Sequence, residues 1–203
     1  RTWLDAELGV RSGIVPGLWL DAFAGYAVIK SAAFFVPSDY LGEPYDFGNY
    51  HVAFQPDATW MRIGAALKYA YQRTADFSVK AVYNRGTFRK GEGNSWLSGT
   101  GMSNMKPYGC PAVEVNADLT VRPITPLSLT LDYYLGARRV TLFHGDNIKM
   151  SDLHDLNFTA AYNLNDMFGA YLKFTNILSR GQDLWYGYPM QRFGFMGGIN
   201  INF

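Results

Sequence analysis

The sequence predicts an all-β protein: an antiparallel up-and-down transmembrane β-barrel, with nine to ten strands present as part of a larger barrel. Three observations predict it. Apolar and polar residues alternate with period two in nine separate segments. The connections between those segments alternate strictly between tight turns and long loops. The apolar faces are smooth columns of Leu, Val, Ala and Ile ending in aromatics, while the opposite faces mix Gly, Ser, Thr and Asn with single charges of both signs.

The first segment, 2–12, places Leu4, Ala6, Leu8 and Val10 on one face and Asp5, Glu7 and Arg11 on the other. The second, 18–30, sets Leu18, Leu20, Ala22, Ala24, Tyr26 and Val28 against Trp19, Asp21 and Phe23. The third ends strongly, with Met61, Ile63, Ala65, Leu67, Tyr69 and Tyr71 opposite Arg62, Gly64 and Lys68. Its upper half contains Pro56, which predicts a bend or a stretch standing clear of the membrane. In the fourth, Phe77, Val79, Ala81 and Tyr83 oppose Ser78, Lys80 and Asn84. The fifth, 112–122, is the cleanest: Val113, Val115, Ala117, Leu119 and Val121 against Glu114, Asn116, Asp118, Thr120 and Arg122.

The sixth sets Leu127, Leu129, Leu131, Tyr133 and Leu135 against Ser128, Thr130, Asp132, Tyr134 and Arg138. The seventh has Leu156, Phe158, Ala160 and Tyr162 opposite Asp155, Asn157 and Thr159. The eighth has Phe168, Ala170, Leu172 and Phe174 opposite Tyr171, Lys173 and Thr175. The ninth runs from Arg192, with Phe193, Phe195, Gly197, Ile199, Ile201 and Phe203 on one face.

Tight turns fall at 14–17, 73–76, 123–126 and 163–166, and long connections at 31–48, 90–110, 144–151 and 178–190. Short turns at one rim and long loops at the other are the arrangement of outer-membrane barrels, whose turns are periplasmic and whose loops are external. Tyr71, Phe77, Tyr162 and Phe168 flank the tight turns, where an interfacial aromatic girdle sits. A soluble sandwich or lipocalin-like barrel is the alternative. It would pack the apolar face inward and dress the polar one in Lys and Glu, which do not dominate here.

The composition agrees. The chain has 203 residues, net charge +1, 48% hydrophobic residues and an excess of 14 Tyr, 14 Phe and 21 Gly, a balance that favours sheet. No charge asymmetry points to nucleic acid. Mean hydropathy is −0.10 and no stretch approaches the roughly 20 apolar residues of a spanning helix. A strand-built barrel gives that same weak signal. The single cysteine, Cys110, has no partner for an internal disulfide.

Nine strands do not close a barrel with both ends in the periplasm, because such barrels have even strand numbers. Two expectations follow: that residues 1–203 are one barrel segment, the C-terminal part of a larger barrel without its plug domain, or that residues 31–37 (Ser-Ala-Ala-Phe-Phe-Val-Pro) form a tenth strand. The fragment reading is preferred, since a lone strand at 31–37 lacks a hairpin partner.

The final third resembles the C-terminal end of TonB-dependent outer-membrane receptors in their Bacteroidetes-type form. The resemblance rests on Asn176-Ile177-Leu178, Tyr186, the stretch Gly187-Tyr188-Pro189-Met190-Gln191-Arg192 and the alternating run to Phe203. Gln191 stands where the family usually has Gly. The hairpin from Leu8 to Ala22 is similar in style only. The resemblance implies a bacterial outer-membrane location and a nutrient importer whose plug and TonB-contacting segment lie outside these residues. It also implies that the barrel-insertion machinery reads Phe193, Phe195, Ile199, Ile201 and Phe203 as an assembly signal, and a surface lipoprotein is a further candidate partner.

No enzymatic constellation rises above background. His51, His144 and His154 are scattered without metal-ligand spacing, and Ser151 near the latter two reads as an exposed loop residue. Gly91-Glu92-Gly93-Asn94 opens no helix and is no phosphate cradle. No cofactor, metal or catalytic residue is expected.

The charges on the polar faces are the set most relevant to function: Asp5, Glu7, Arg62, Lys68, Lys80, Glu114, Asp118, Arg122, Asp132 and Arg138. In a lumen they must be paired, hydrated or held against a plug. A cross-strand ladder stiffening the wall is one reading, and contact with a plug or solute path the other. Trp96, Trp185, Tyr186 and Tyr188 in the long loops suit either loop packing or stacking on a sugar or siderophore. The functional alternatives are an importer, a structural or assembly barrel subunit without transport, and a small rim-active enzyme.

Overall fold

A computed structural model describes residues 2–37, 50–89, 106–143 and 146–201. Trp96, His144 and Phe203 fall outside them. The described residues contain no helix and form thirteen strands. Nine make one antiparallel sheet: β1 (Thr2–Val15), β2 (Leu18–Pro37), β3 (Tyr50–Tyr71), β4 (Ala75–Arg89), β5 (Val113–Ile124), β6 (Leu127–Ala137), β9 (Leu153–Asn163), β10 (Phe168–Thr175) and β13 (Gly194–Ile201). Each pairs only with its neighbours in that order, so the topology is up-and-down. Two small hairpins, β7 (Val140–Phe143) with β8 (Asp146–Lys149) and β11 (Asp183–Trp185) with β12 (Tyr188–Pro189), stand apart at the long-loop rim.

Residues 31–37 are not a tenth strand. They continue β2, and Ala32–Pro37 pair with Tyr50–Gln55 of β3. Nor does Pro56 end β3: the ladder skips from Lys30↔Asp57 to Ala32↔Gln55, omitting the position where proline has no N–H to give. β2 and β3 have 20 and 22 residues, against 8 for β10 and β13. At about 3.3 Å per residue, β3 is roughly 70 Å long and β13 roughly 26 Å. A transmembrane strand needs about 9–11 residues, so the β2–β3 hairpin continues well past a bilayer.

The register assigns the faces. One face stacks Tyr69–Phe77–Leu119–Leu131–Phe158–Phe174–Phe195 across seven strands. The opposite face stacks Trp19–Lys68–Ser78–Asp118–Asp132–Asn157. The apolar face does not close on a dry centre. Leu131 is 39% exposed, Leu172 47% and Ile199 75%. The buried hydrophobic residues among those described are Ala58, Ala66, Tyr108, Met150 and Leu153. A soluble sheet would bury its leucine columns; this one presents many of their residues to its surroundings, and among the described residues no apolar core lies behind them.

The sheet is open. β1 pairs only with β2 and β13 only with β10, and every residue of β1 is exposed. This is part of a barrel wall and not a closed barrel.

Candidate functional site: the polar face and the loop rim

The polar face borders a half-open hollow of about 700 Å³ along β1–β5, lined among others by Glu7, Asp21, Arg62, Lys80, Glu114 and Asp118. Every strand contributes a short polar column because side chains two apart share a face. Several of these charges meet across strands. Arg62 lies 3.2 Å from Glu7, Arg11 lies 2.6 Å from Asp21, and Arg122 lies 2.5 Å from Asp76. Ser78 Oγ donates to Asp118 at 2.8 Å, and Asn84 Nδ2 donates to Glu114 Oε1 at 2.6 Å. Lys80 Nζ stands 5.3 Å over the Phe23 ring. That ring lies on Gly64, where a Cβ would come within 2.5 Å of Phe23 Cζ.

The remaining polar-face charges are placed differently. Asp118 and Asp132 sit directly opposite each other on β5 and β6, an unfavourable pairing for two ionised carboxylates. Asp5 and Lys68 have no ion-pair partner within 4 Å among the described residues, although both carry the parity of the polar face. Arg138 lies just past the strand. β6 ends at Ala137, Arg138 takes φ 58°, and its N–H donates to Asp152 Oδ1 at 3.0 Å, so it belongs to the turn into β7.

At the loop rim the packing changes. Arg139, only 1% exposed, donates to the carbonyls of Ser151, Asp183 and Leu184, tying the β7–β8 base to β11. Gln182, also buried, donates to His154 O at 2.6 Å and accepts from His154 N at 2.9 Å. This is how a side-chain amide replaces a missing ladder strand. Buried Asn176 takes φ 47°; its N–H donates to Asn157 Oδ1 at 3.0 Å and its side-chain amide to Gln191 O, fastening the end of β10 to the approach of β13.

Two of the loop aromatics pack within this rim. Tyr186 meets Phe143 with ring centroids 4.8 Å apart, and the Trp185 ring covers Gly109. Both Trp185 and Tyr188 keep part of their surface exposed. Cys110 lies under the same rim. Burial pushes its thiol up, the Glu114 carboxylate adds to the shift, and Arg139 opposes it. His154 Nδ1 is 2.9 Å from Tyr133 Oη, an arrangement on the apolar face that does not engage Ser151.

Phe193, just before the C-terminal strand, and Phe195, Ile199 and Ile201 on it are all exposed, and Phe195 lies against Phe174 with ring centroids 5.4 Å apart.

No family model matches the chain, and no curated protein matches it in sequence. Solved structures do match its fold. The copper transporter OprC aligns with 98% of the chain at TM-score 0.68 and 12% identity, over 31% of its own length. The pyoverdine outer membrane receptor FpvA from Pseudomonas aeruginosa PAO1 aligns with 98% at TM-score 0.69 and 10% identity, over 29% of its length. The ferric-catecholate import receptor Fiu from K12 E. coli aligns with 98% at TM-score 0.66 and 12% identity, over 27%. The chain thus spans under a third of the length of each of these proteins. Their likeness at such low identity establishes the fold: a stretch of outer-membrane β-barrel wall.

Proposed function

We propose that this chain is a wall segment of a TonB-dependent-receptor-like nutrient importer in a bacterial outer membrane. The observation that carries the proposal is the side on which the hollow lies. A half-open hollow of about 700 Å³ lies against the charged face, while many of the leucine and aromatic residues of the opposite face stay exposed. Hydrocarbon accepts the second face, and a wet lumen accepts the first. The fold shared with OprC, FpvA and Fiu supports the same reading.

In such a barrel the charges from Asp5 to Asp132 face a plug or a solute path, and Trp185, Tyr186 and Tyr188 sit where external substrate arrives. The Bacteroidetes-type assignment rests on the segment from Asn176 to Arg192 and on the alternating run to Phe203. It brings with it TonB, a plug domain and a surface lipoprotein as partners, and the insertion machinery as reader of the last strand. A second reading, a structural barrel subunit, is favoured by one observation: Glu7–Arg62, Arg11–Asp21 and Arg122–Asp76 are satisfied within the wall.

The two readings separate in the full-length protein. A cysteine placed at Asn116 in a Cys110→Ser background lies in the hollow. Its labelling by an impermeant maleimide from outside the cell is expected to change when the proton-motive force is dissipated. Labelling that ignores the energy state favours the scaffold.

A further inference from the structure

Two buried side-chain oxygens at the outer end of the short strands have no donor. Asp155 Oδ1 and Asn176 Oδ1 are shielded from solvent and accept no hydrogen bond from the described residues. Asn176 as a whole is only 3% exposed. Asp155 is the third residue of β9 and Asn176 follows the last residue of β10, so both stand at the loop end of one hairpin. A single side chain joins them. Asn157 Nδ2 donates to the other oxygen of Asp155 at 3.1 Å, and Asn157 Oδ1 accepts the Asn176 N–H at 3.0 Å. The Asn176 side-chain NH₂ donates to Gln191 O, which identifies the oxygen as the unpartnered end of that amide.

Burying an acceptor without a donor is unfavourable, and more so for a carboxylate oxygen. The wall does not supply the missing group. Lys173, the cation on β10, makes no ion pair within 4 Å with Asp132 or Asp155. Asp132 lies directly opposite Asn157 across the β6–β9 ladder and brings a second carboxylate to the same stretch. Oxygens this enclosed have room for a water or a bare ion and not for part of a larger solute. The excess of carboxylate over ammonium selects the ion.

The donor set says which ion. Carboxylate and amide oxygens are ligands of hard cations, and calcium accepts about six to eight of them in irregular geometry, whereas magnesium demands a near-ideal octahedron. His154 faces the other side of the sheet, bonded to Tyr133, and no three acidic, histidine or cysteine side chains converge among the described residues, so a zinc-type set is absent. We infer that the outer end of the β9–β10 hairpin binds calcium through Asp155 Oδ1 and Asn176 Oδ1, with Asp132 adding charge and water completing the shell. The ion ties β9 to the residue that fastens β10 to the approach of β13. The inference rests on the fold alone and stands whether the wall imports or scaffolds.

The test uses the full-length protein in nanodiscs of uncharged lipid, stripped of metal and titrated with terbium and then calcium. Tyr134 lies directly opposite Asp155, so its ring should sensitise terbium emission, and calcium should quench that emission by displacement. Asp155→Asn is expected to weaken calcium binding about tenfold or more, and Asp132→Asn about threefold, because affinity follows ligand charge. Asp166→Asn, in the turn at the opposite rim, should bind as the parent does. Tyr134→Phe should dim the emission and leave calcium affinity unchanged. Calcium should also slow hydrogen exchange at 176–192 in the parent and not in Asp155→Asn. Parent-like calcium binding by Asp155→Asn overturns the inference, as does displacement by magnesium at the same concentration as by calcium. Absence of both terbium emission and calcium-dependent exchange would assign the two oxygens to water and overturn it too. Asn176→Ala also loses the bond to Gln191; should it fail to fold, the two aspartate variants, which keep their shape, decide.

Discussion

The tall side of the sheet, β1–β4, and the short side, β5–β13, keep the same alternation but stabilise it differently. On the tall side the polar face is open. Its ion pairs, Arg11–Asp21 and Arg62–Glu7, are largely solvated and sit around the hollow. On the short side the strands stop early, and hairpins β7–β8 and β11–β12 supply the height, held by buried Arg139, Gln182 and Asn176. The difference teaches where polar groups matter most. An exposed ion pair contributes at most about 1 kcal/mol, whereas removing a buried partner strands several carbonyls at once.

The largest effect belongs to what the two sides share, the lipid face. Leu131→Arg is expected to cost about 2–4 kcal/mol of folding into lipid vesicles, and its neighbour Thr130→Arg much less, measured by urea titration. Equal costs would mean the two faces are not distinguished. Next comes the rim. Arg139→Met removes the donors to Ser151, Asp183 and Leu184 and should cost about 2–3 kcal/mol locally. Hydrogen exchange at 182–190 should rise steeply while β2–β4 amides stay protected; a uniform rise would erase the contrast between regions. Smaller is the ion-pair coupling on the tall side. A double-mutant cycle on Glu7 and Arg62 should give below about 1 kcal/mol, and a larger value would show that a neighbouring element buries the pair.

The smallest effect concerns Cys110. Its raised thiol pKa means less thiolate at neutral pH than an exposed cysteine has, so alkylation at pH 8 should be severalfold slower and should accelerate as pH rises further. Alkylation at the rate of an exposed cysteine would contradict the packed rim.

The nine wall strands were legible because one face of each meets one kind of environment, which writes a strict period of two between turn residues. β5 and β6, with Val113–Val121 against Glu114–Arg122, show it most plainly. What escaped the pattern was short or locally satisfied. β7, β8, β11 and β12 are two to four residues long, too few for alternation to register. Ser31–Pro37 is an apolar run that reads as a separate strand, yet it pairs as the extension of β2. Arg139 and Gln182 look like ordinary loop polars, because burial through carbonyl contacts leaves no trace in spacing. Asn176 stood out only through the family-like Asn-Ile-Leu segment, and its side chain does fasten β10 to the last strand's approach. Arg138 shares the parity of the polar column but lies one residue past the end of β6, with a left-handed backbone.

The central claim is which face of the wall meets lipid. It is tested most directly by placing a fluorophore on a cysteine at residue 131 or at residue 130, in a Cys110→Ser full-length protein reconstituted in vesicles. Brominated lipid should quench the label at 131 and leave the one at 130 bright, with aqueous iodide doing the reverse. Iodide reaching 131 while bromolipid reaches 130 would contradict the account.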